Sequence, residues 1–189
     1  TLLLTYIANT SCGPLEDSTL DLVEVAWHSE PSKVYLGSPS VLRVGDTLLA
    51  SADRFGTGPH VNNVSIFVSH DDGLSWSLQS WVVSMYFSNL FQLNPNSTDV
   101  YLLGTTGGDN APVKVAKSTD GGLTWPTSQA TILFNGTPGV YNNSGFQTGP
   151  TPALLASDGR VYRAVELFPA PYQWGKDYQA CIISAKQTD

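Results

Sequence analysis

Two stretches of the sequence share one pattern and decide the fold. The first reads Ser69-His70-Asp71-Asp72-Gly73-Leu74-Ser75-Trp76, and the second reads Ser118-Thr119-Asp120-Gly121-Gly122-Leu123-Thr124-Trp125. Both follow the pattern Ser-x-Asp-x-Gly-Leu-Ser/Thr-Trp, and they lie 49 residues apart. A pattern that recurs at a period of about 20–50 residues is typical of repeat architectures, in which each repeat is one supersecondary unit.

The residues around each motif predict short strands. Residues 64–68 and 113–117 alternate in polarity directly before the two motifs, and such alternation indicates a strand. Further upstream, apolar runs joined by tight turns predict three hairpins. Their paired segments are residues 38–42 with 47–51, 88–93 with 99–104, and 151–155 with 160–165, and residues 180–184 predict one more strand. Four strands in about 50 residues are typical of a propeller blade.

The composition excludes several classes of protein. Of the 189 residues only 13% are charged, while Gly numbers 17 and Pro 12, which favours turns and short strands over helical bundles. The formal charge of −7 argues against nucleic acid or an anionic membrane as partner. No apolar run is long enough to predict a transmembrane helix. No metal-ligand spacing and no glycine-rich phosphate loop is present, so no metal or cofactor is predicted.

The compartment is indicated by potential glycosylation sites. Five Asn-x-Ser/Thr sites occur where about two are expected by chance, which points to a secreted or lumenal protein. They lie at Asn9, Asn63, Asn96, Asn135 and Asn142. Cys12 and Cys181 admit two interpretations, a disulfide that ties the ends together or two free buried thiols. Residues 1–8 likewise read either as the tail of a leader or as an edge strand.

The motif itself is interpreted as a structural device. The Asp carboxylate can accept hydrogen bonds from the backbone of its own turn, Gly allows a left-handed backbone, and Trp can fold back between sheets. The same residues recur once per unit, whereas an active site needs them once, so we expect a structural role rather than a catalytic one. The residues concerned are Ser69, Asp71, Gly73, Trp76, Ser118, Asp120, Gly122 and Trp125.

With these motifs the sequence resembles the sialidase (neuraminidase) superfamily, whose six-bladed propellers carry the aspartic-acid-box repeat. The resemblance covers about residues 34–184 and implies an all-β, sialidase-like propeller, of which this chain supplies about three four-stranded blades of a probable six. Residues 1–33 then form an N-terminal segment before a partial propeller at 34–189. Missing C-terminal blades or a partner chain are expected to complete the ring, and a closed four-bladed ring is the alternative.

The resemblance also implies a chemistry: retaining hydrolysis of a terminal sialic acid. The family uses a tyrosine nucleophile with a glutamate, an aspartate acid/base, and three arginines that clamp the substrate carboxylate. The position of the first arginine is here Gly37, and the aspartate position falls near Asn63, which cannot transfer a proton. Asp53 or His60 is the candidate replacement for that aspartate. The other two arginines and the tyrosine–glutamate pair come from later blades in the family.

The candidate site residues lie where predicted strands end. Asp53 and Glu166 are the candidate catalytic carboxylates, since each ends an inner strand of its unit and paired carboxylates serve glycoside hydrolysis. The candidate substrate-binding residues occupy the neighbouring loops and are Arg54, His60, Asn63, Asp109, Tyr172 and Trp174. Their ordinary alternatives are surface ion pairs, turn residues and local packing.

The sequence thus predicts a sialidase-like glycoside hydrolase that takes a glycan or glycoconjugate as its partner. Two alternatives stay open. One is a propeller that binds carbohydrate or protein without catalysis, and the other is a purely structural repeat module of a longer secreted protein. Fold resemblance by itself does not decide between them.

Overall fold

The computed structural model describes residues 22–106, 111–134, 145–149, 151–168 and 176–186. These residues form twelve β-strands and one 3-10 turn at Thr127–Gln129. The strands are β1 (Val34–Val44), β2 (Thr47–Gly56), β3 (Asn63–Ser69), β4 (Ser77–Val83), β5 (Tyr86–Phe91), β6 (Val100–Thr105), β7 (Val113–Ser118), β8 (Ala130–Phe134), β9 (Gly145–Gln147), β10 (Leu154–Leu155), β11 (Arg160–Phe168) and β12 (Gln179–Lys186).

The strands form three antiparallel sheets in chain order. The first sheet runs β1-β2-β3-β4 and the second runs β5-β6-β7-β8, so each is a four-stranded meander of the predicted kind. The third sheet runs β10-β11-β12, and β9 also pairs with β11. Two short strands, β9 and β10, therefore pair with different parts of β11 where the other sheets have one strand. The hairpin pattern of the sequence did not predict this division. The all-β propeller architecture predicted from the sequence is confirmed.

The three sheets stack face to face around two apolar clusters. Between the first and second sheets lie Leu49, Ile66, Leu90 and Leu102, each no more than 4% exposed. Between the second and third sheets lie residues of β6, β7, β9 and β11, among them Phe146. β3 is buried along nearly its whole length, because it is an interior strand with packing on both faces. The burial of apolar side chains between neighbouring sheets therefore determines how the three sheets stack.

Strand direction gives the stack two ends. One end carries the turns of both repeated motifs, called here the motif turns (residues 69–76 and 118–125). The other end, called here the mouth end, carries the start of β1, the end of β2, residues 57–62, the start of β5 and the end of β11. Successive antiparallel strands place these termini together.

The two motif turns contain the same hydrogen bonds. In the first, Ser69 Oγ donates to Asp71 Oδ1 at 2.8 Å and accepts from Gly73 N–H at 2.8 Å. In the second, Ser118 Oγ makes the matching bonds at 2.6 and 2.9 Å. The indole N–H groups of the following tryptophans, Trp76 and Trp125, each donate to the carbonyl of the motif's Gly, Gly73 or Gly122, at 3.0 Å. The bonds close each turn on itself, as the structural interpretation expects.

The fifth residue of each motif has to be glycine. Gly73 and Gly122 have φ of +88° and +89°, a left-handed backbone that a side chain disfavours. A Cβ on Gly122 would also lie 2.3 Å from Leu49 Cδ1. The second motif turn is thus packed against the core of the first sheet, and the repeat helps to hold successive sheets together.

The N-terminal part of the described chain covers the free face of the first sheet. Val25 and Ala26 line an apolar cavity of about 170 Å³ together with Leu36, Ala50 and Phe67. The cavity separates this segment from the sheet, and β1 begins at Val34. Within the described residues, no helix has the length and apolar character needed to cross a membrane.

The two interpretations of Cys12 and Cys181 both stay open. Cys181 lies in β12, is half-buried and has no disulfide partner among the described residues. Cys12 falls outside the described residues, as do residues 1–8. No group of His, Cys, Asp and Glu in the described part of the chain has the arrangement of a metal site.

Candidate functional site

Asp53 lies near the end of β2 and is fully buried. Its Oδ1 accepts a hydrogen bond from Ser88 Oγ at 2.9 Å, and its Oδ2 accepts one from the Phe87 N–H. Both donors belong to β5, so this carboxyl joins the first sheet to the inner strand of the second. The side chain predicted as catalytic therefore also holds two sheets together at the mouth end.

Burial raises the pKa of Asp53 from 3.8 to about 7. Hydrogen bonds from Ser88, Phe87 and Ser38 act in the opposite direction, but they do not outweigh the loss of hydration. Burial also raises the pKa of Tyr86, and the negative charge of Asp53 adds to that effect. A carboxyl that titrates near neutrality suits proton transfer in either direction.

Both inner strands carry a bulge at this level. The register of β5 shifts between Tyr86 and Asn89, and Phe87 within the shift has φ of +50°. The register of β1 shifts in the same way around Ser38, which has φ of +49° and lies 49 residues earlier. A left-handed backbone is uncommon for residues other than glycine and costs on the order of 1–3 kcal/mol. The first and second sheets therefore carry the same unfavourable left-handed backbone conformation beside Asp53.

The bulge of β5 is also held from the third sheet. The carbonyl of Phe87 accepts hydrogen bonds from Thr148 Oγ1 and from Arg163 Nη2, the latter at 3.3 Å. Arg163 Nη2 also donates to the carbonyl of Gly149 at 2.9 Å. Arg163 is only 1% exposed, and its Nε and Nη1 have no hydrogen-bond partner among the described residues. Burial lowers the pKa of Arg163 to about 10, while the charge of Asp53 acts to raise it.

Aromatic rings gather at the same end of the stack. Phe55 stacks between Tyr35 and Tyr86, with 5.4 Å between ring centroids on each side, and Phe87 lies 5.8 Å from Phe55. Tyr35 is 55% exposed, so the group, called here the aromatic cluster, opens to solvent. Aromatic walls with a few polar groups are typical of small-molecule sites.

Gly37 leaves room for this cluster. It pairs with Asp53 across β1 and β2, and a Cβ at this position would lie 3.1 Å from the Phe55 ring. The position where the sialidase resemblance calls for an arginine is thus covered by an aromatic ring.

Arg54 and His60 form a separate group. Arg54 follows Asp53 in β2, so its side chain lies on the opposite face of the sheet. There its guanidinium stands 5.0 Å from the centre of the Trp81 ring, and His60 stacks on Trp81 at 4.9 Å. Asn63 accepts a hydrogen bond from Ser84 N–H at 3.3 Å and holds the chain between β4 and β5. These three residues lie at the mouth end, but around the outer strands rather than beside Asp53.

Glu166 does not face Asp53. Its neighbours Val165 and Leu167 pack into the cluster between the second and third sheets. Side chains alternate along a strand, so half-buried Glu166 lies on the other face of β11. Of the remaining predicted site residues, Asp109, Tyr172 and Trp174 lie outside the described residues.

Several residues of this site were not predicted from the sequence. The 49-residue repeat aligns Gly37-Ser38 with Tyr86-Phe87, but these pairs share no residue type, so the bulge at each position is visible only in the structure. Arg163 had no sequence signal either, because its role depends on how the third sheet packs on the second.

Comparison with known proteins supports the fold class. The described architecture is a β-propeller fold, which it shares with solved structures of an arabinanase, an arabinofuranosidase and a sialidase. No protein-family model matches the chain, and no curated protein does either.

Three solved structures illustrate the similarity. An alpha-L-arabinanase of Penicillium chrysogenum, complexed with arabinobiose, is 16% identical with a TM-score of 0.54, over 82% of this chain and 46% of the arabinanase. An alpha-L-arabinofuranosidase mutant of Fusarium graminearum, bound to an iminosugar inhibitor, is 19% identical with a TM-score of 0.51, over 73% and 41%. The Trypanosoma rangeli sialidase in complex with sialic acid is 18% identical with a TM-score of 0.51, over 91% and 31%. The chain thus spans less than half the length of each.

Proposed function

We propose that this chain is part of a retaining glycoside hydrolase of the sialidase-like propeller type, which acts on a terminal sugar of a glycan. The observation that carries the proposal is the position of the aromatic cluster, which opens to solvent directly above a buried carboxyl that titrates near neutrality. Such a site offers a stacking surface for a sugar ring and a proton donor beneath it. Asp53 is the candidate acid/base.

A neutral sugar fits this mouth better than sialic acid. Gly37 stands where a carboxylate-binding arginine is expected, and Phe55 covers it. Arg54 is engaged with Trp81, and Arg163 is buried against backbone carbonyls. Neither arginine is therefore placed to bind a substrate carboxylate. The formal charge of the chain is −7. An anionic substrate meets unfavourable electrostatics at such a surface.

The proposal includes further blades. Leu154 and Ile182 of the third sheet are 63% and 66% exposed, and each solved neighbour is more than twice as long as the part that this chain matches. Exposed apolar residues on a sheet face favour packing against another sheet. Later blades of the same polypeptide, or a partner chain, would supply the rest of the mouth.

The test is a substrate panel on the full-length polypeptide: an aryl α-L-arabinofuranoside, arabinobiose, other neutral aryl glycosides and a fluorogenic sialoside. We expect turnover of a neutral glycoside and little of the sialoside. Tyr35→Ala should weaken binding about fivefold, since one stacked aromatic is worth on the order of 1 kcal/mol. Tyr101→Ala is the matched control, because Tyr101 also stacks on a phenylalanine, Phe91 at 5.4 Å, but away from the mouth. Equal effects of the two variants would contradict a binding role for the aromatic cluster.

A non-catalytic binding propeller is the second candidate. It is favoured by one observation, the complete burial of Asp53 beneath its hydrogen bonds to β5. Calorimetric binding of a sugar without turnover of any substrate in the panel would support this candidate over hydrolysis.

A further inference from the structure

We propose that Arg163 is a positioning residue for Asp53: from the third sheet, and through the peptide group that joins Phe87 to Ser88, it sets the proton affinity of that carboxyl. The consequence for catalysis rests on the proposed function, but the electrostatic coupling itself does not.

The peptide group between Phe87 and Ser88 lies between the two charged side chains. Its carbonyl oxygen accepts from Arg163 Nη2 at 3.3 Å and from Thr148 Oγ1. Its N–H, that of Ser88, acts to lower the pKa of Asp53, and the hydroxyl of the same Ser88 donates to Asp53 Oδ1 at 2.9 Å. A cation at the oxygen end of a peptide dipole and an anion at its hydrogen end strengthen each other.

The surroundings make this coupling strong. Asp53 and Arg163 are 0% and 1% exposed, so little water screens the field between them. Arg163 lies close enough for the charge of Asp53 to affect its pKa, yet the two side chains form no direct ion pair within the described structure. Hence the contact between them runs through the backbone of β5.

The unused donors of Arg163 support a role for its charge. Nε and Nη1 are buried and find no hydrogen-bond partner in the described part of the chain, and burying such groups costs free energy. An apolar side chain of similar size would fill the same space without this cost. Packing alone therefore does not account for an arginine at this position.

The described groups that contact Asp53 do not supply a positive charge. Tyr86 approaches from β5 and Ser38 from β1, and both are neutral at physiological pH. Arg54 adjoins Asp53 along β2 but lies on the opposite face against Trp81.

Lys114 of β7 is a second buried cation at the mouth end, but its Nζ donates to the carbonyls of Val83 and Ser84. In the described part of the mouth end, Arg163 is the cation that donates to the carbonyl of Phe87, whose own N–H donates to Asp53.

The test is a titration of Asp53 by carbon-detected NMR of its carboxyl group. In Arg163→Gln we expect the pKa of Asp53 to rise by about one unit, a tenfold gain in proton affinity, because the favourable charge is lost. Arg163→Lys should retain most of the wild-type value. Arg160→Gln is the matched control, since Arg160 lies on the same strand but is exposed beside Asp158, and it should leave the titration unchanged.

Thr148→Val keeps the proposal testable if Arg163→Gln fails to fold. It removes one hydrogen bond to the Phe87 carbonyl without removing a charge, and we expect a smaller rise of a few tenths of a unit. An unchanged Asp53 titration in a folded Arg163→Gln protein, or in Thr148→Val, would overturn the proposal. Absence of glycosidase activity leaves this titration intact, so the two proposals fail separately.

Discussion

The hydroxyl of Ser88 donates to the carboxylate of Asp53 at 2.9 Å across the boundary between the first and second sheets, and both side chains are fully buried. A carboxyl in this position is costly to ionise, yet its partners on β5 are all donors. Its protonation is therefore linked to the packing of the two sheets, and this link can be measured.

Asp53 should make the protein less stable as the pH rises from about 4 to 7. Its pKa is about 7 in the folded chain, against 3.8 as the ordinary value, so the folded state binds the extra proton in this window. The contribution to the free energy of unfolding is complete below pH 4, and up to about 4 kcal/mol of it is lost by pH 8. Asp53→Asn should abolish this slope in chemical unfolding across pH. Asp46→Asn, in an exposed turn, should keep it, and equal slopes for wild type and Asp53→Asn would refute the assignment.

The two motif turns should contribute comparable stability. Ser69→Ala and Ser118→Ala each remove a buried hydroxyl that donates to the motif Asp and accepts from the motif Gly. Each should lower the free energy of unfolding by about 1–3 kcal/mol, since buried polar partners are left unsatisfied. Ser77→Ala, at an exposed position of β4, is the control and should change little. A loss confined to one of the two turns would argue against the repeat as a common device.

Gly104→Ala should disturb the packing of β6 against the β5 bulge at the mouth end. A Cβ at this position would lie 2.4 Å from the Tyr86 carbonyl oxygen and 3.1 Å from Ser88 Cα, and both are backbone atoms of the β5 bulge. We expect a loss of about 3 kcal/mol in urea unfolding, as for other overpacked sites. Gly45→Ala is the comparison: its Cβ meets nothing, and its φ of +59° should cost only about 1 kcal/mol. Equal losses would show that the close approach to β5 is relaxed without cost.

Glycosylation should distinguish Asn96 from Asn63 if the chain is secreted, as its Asn-x-Ser/Thr sites lead us to propose. Asn96 lies exposed in the turn between β5 and β6, at the motif end. Asn63 is half-buried, and its side-chain oxygen accepts from Ser84 N–H at the mouth end. Material from a secreting eukaryotic host should lose mass on enzymatic deglycosylation, and Asn96→Gln should reduce that loss by the mass of one glycan while Asn63→Gln leaves it unchanged. A glycan found at Asn63 with Asn96 bare would contradict the expectation.

The predictable part of the site follows the repeat. The place of Asp53 at the mouth end was predictable, because it ends an apolar run beside a loop and strand direction fixes that end; its catalytic role stays a prediction. The sheet face on which each candidate side chain lies was harder to predict. Glu166 ends a comparable strand, yet alternation along β11 turns it away from Asp53, since Val165 and Leu167 occupy the buried face.

The sequence by itself determined the architecture: two copies of a tryptophan-containing turn, 49 residues apart and each preceded by alternating strands, specify four-stranded sheets in series, because hydrogen bonds and side-chain alternation within each unit are local. Only the tertiary structure decided that Asp53, Phe87 and Arg163 meet at one place. They come from three different sheets, and their contacts depend on the register of two bulges and on burial between stacked faces, neither of which is a local property of the chain.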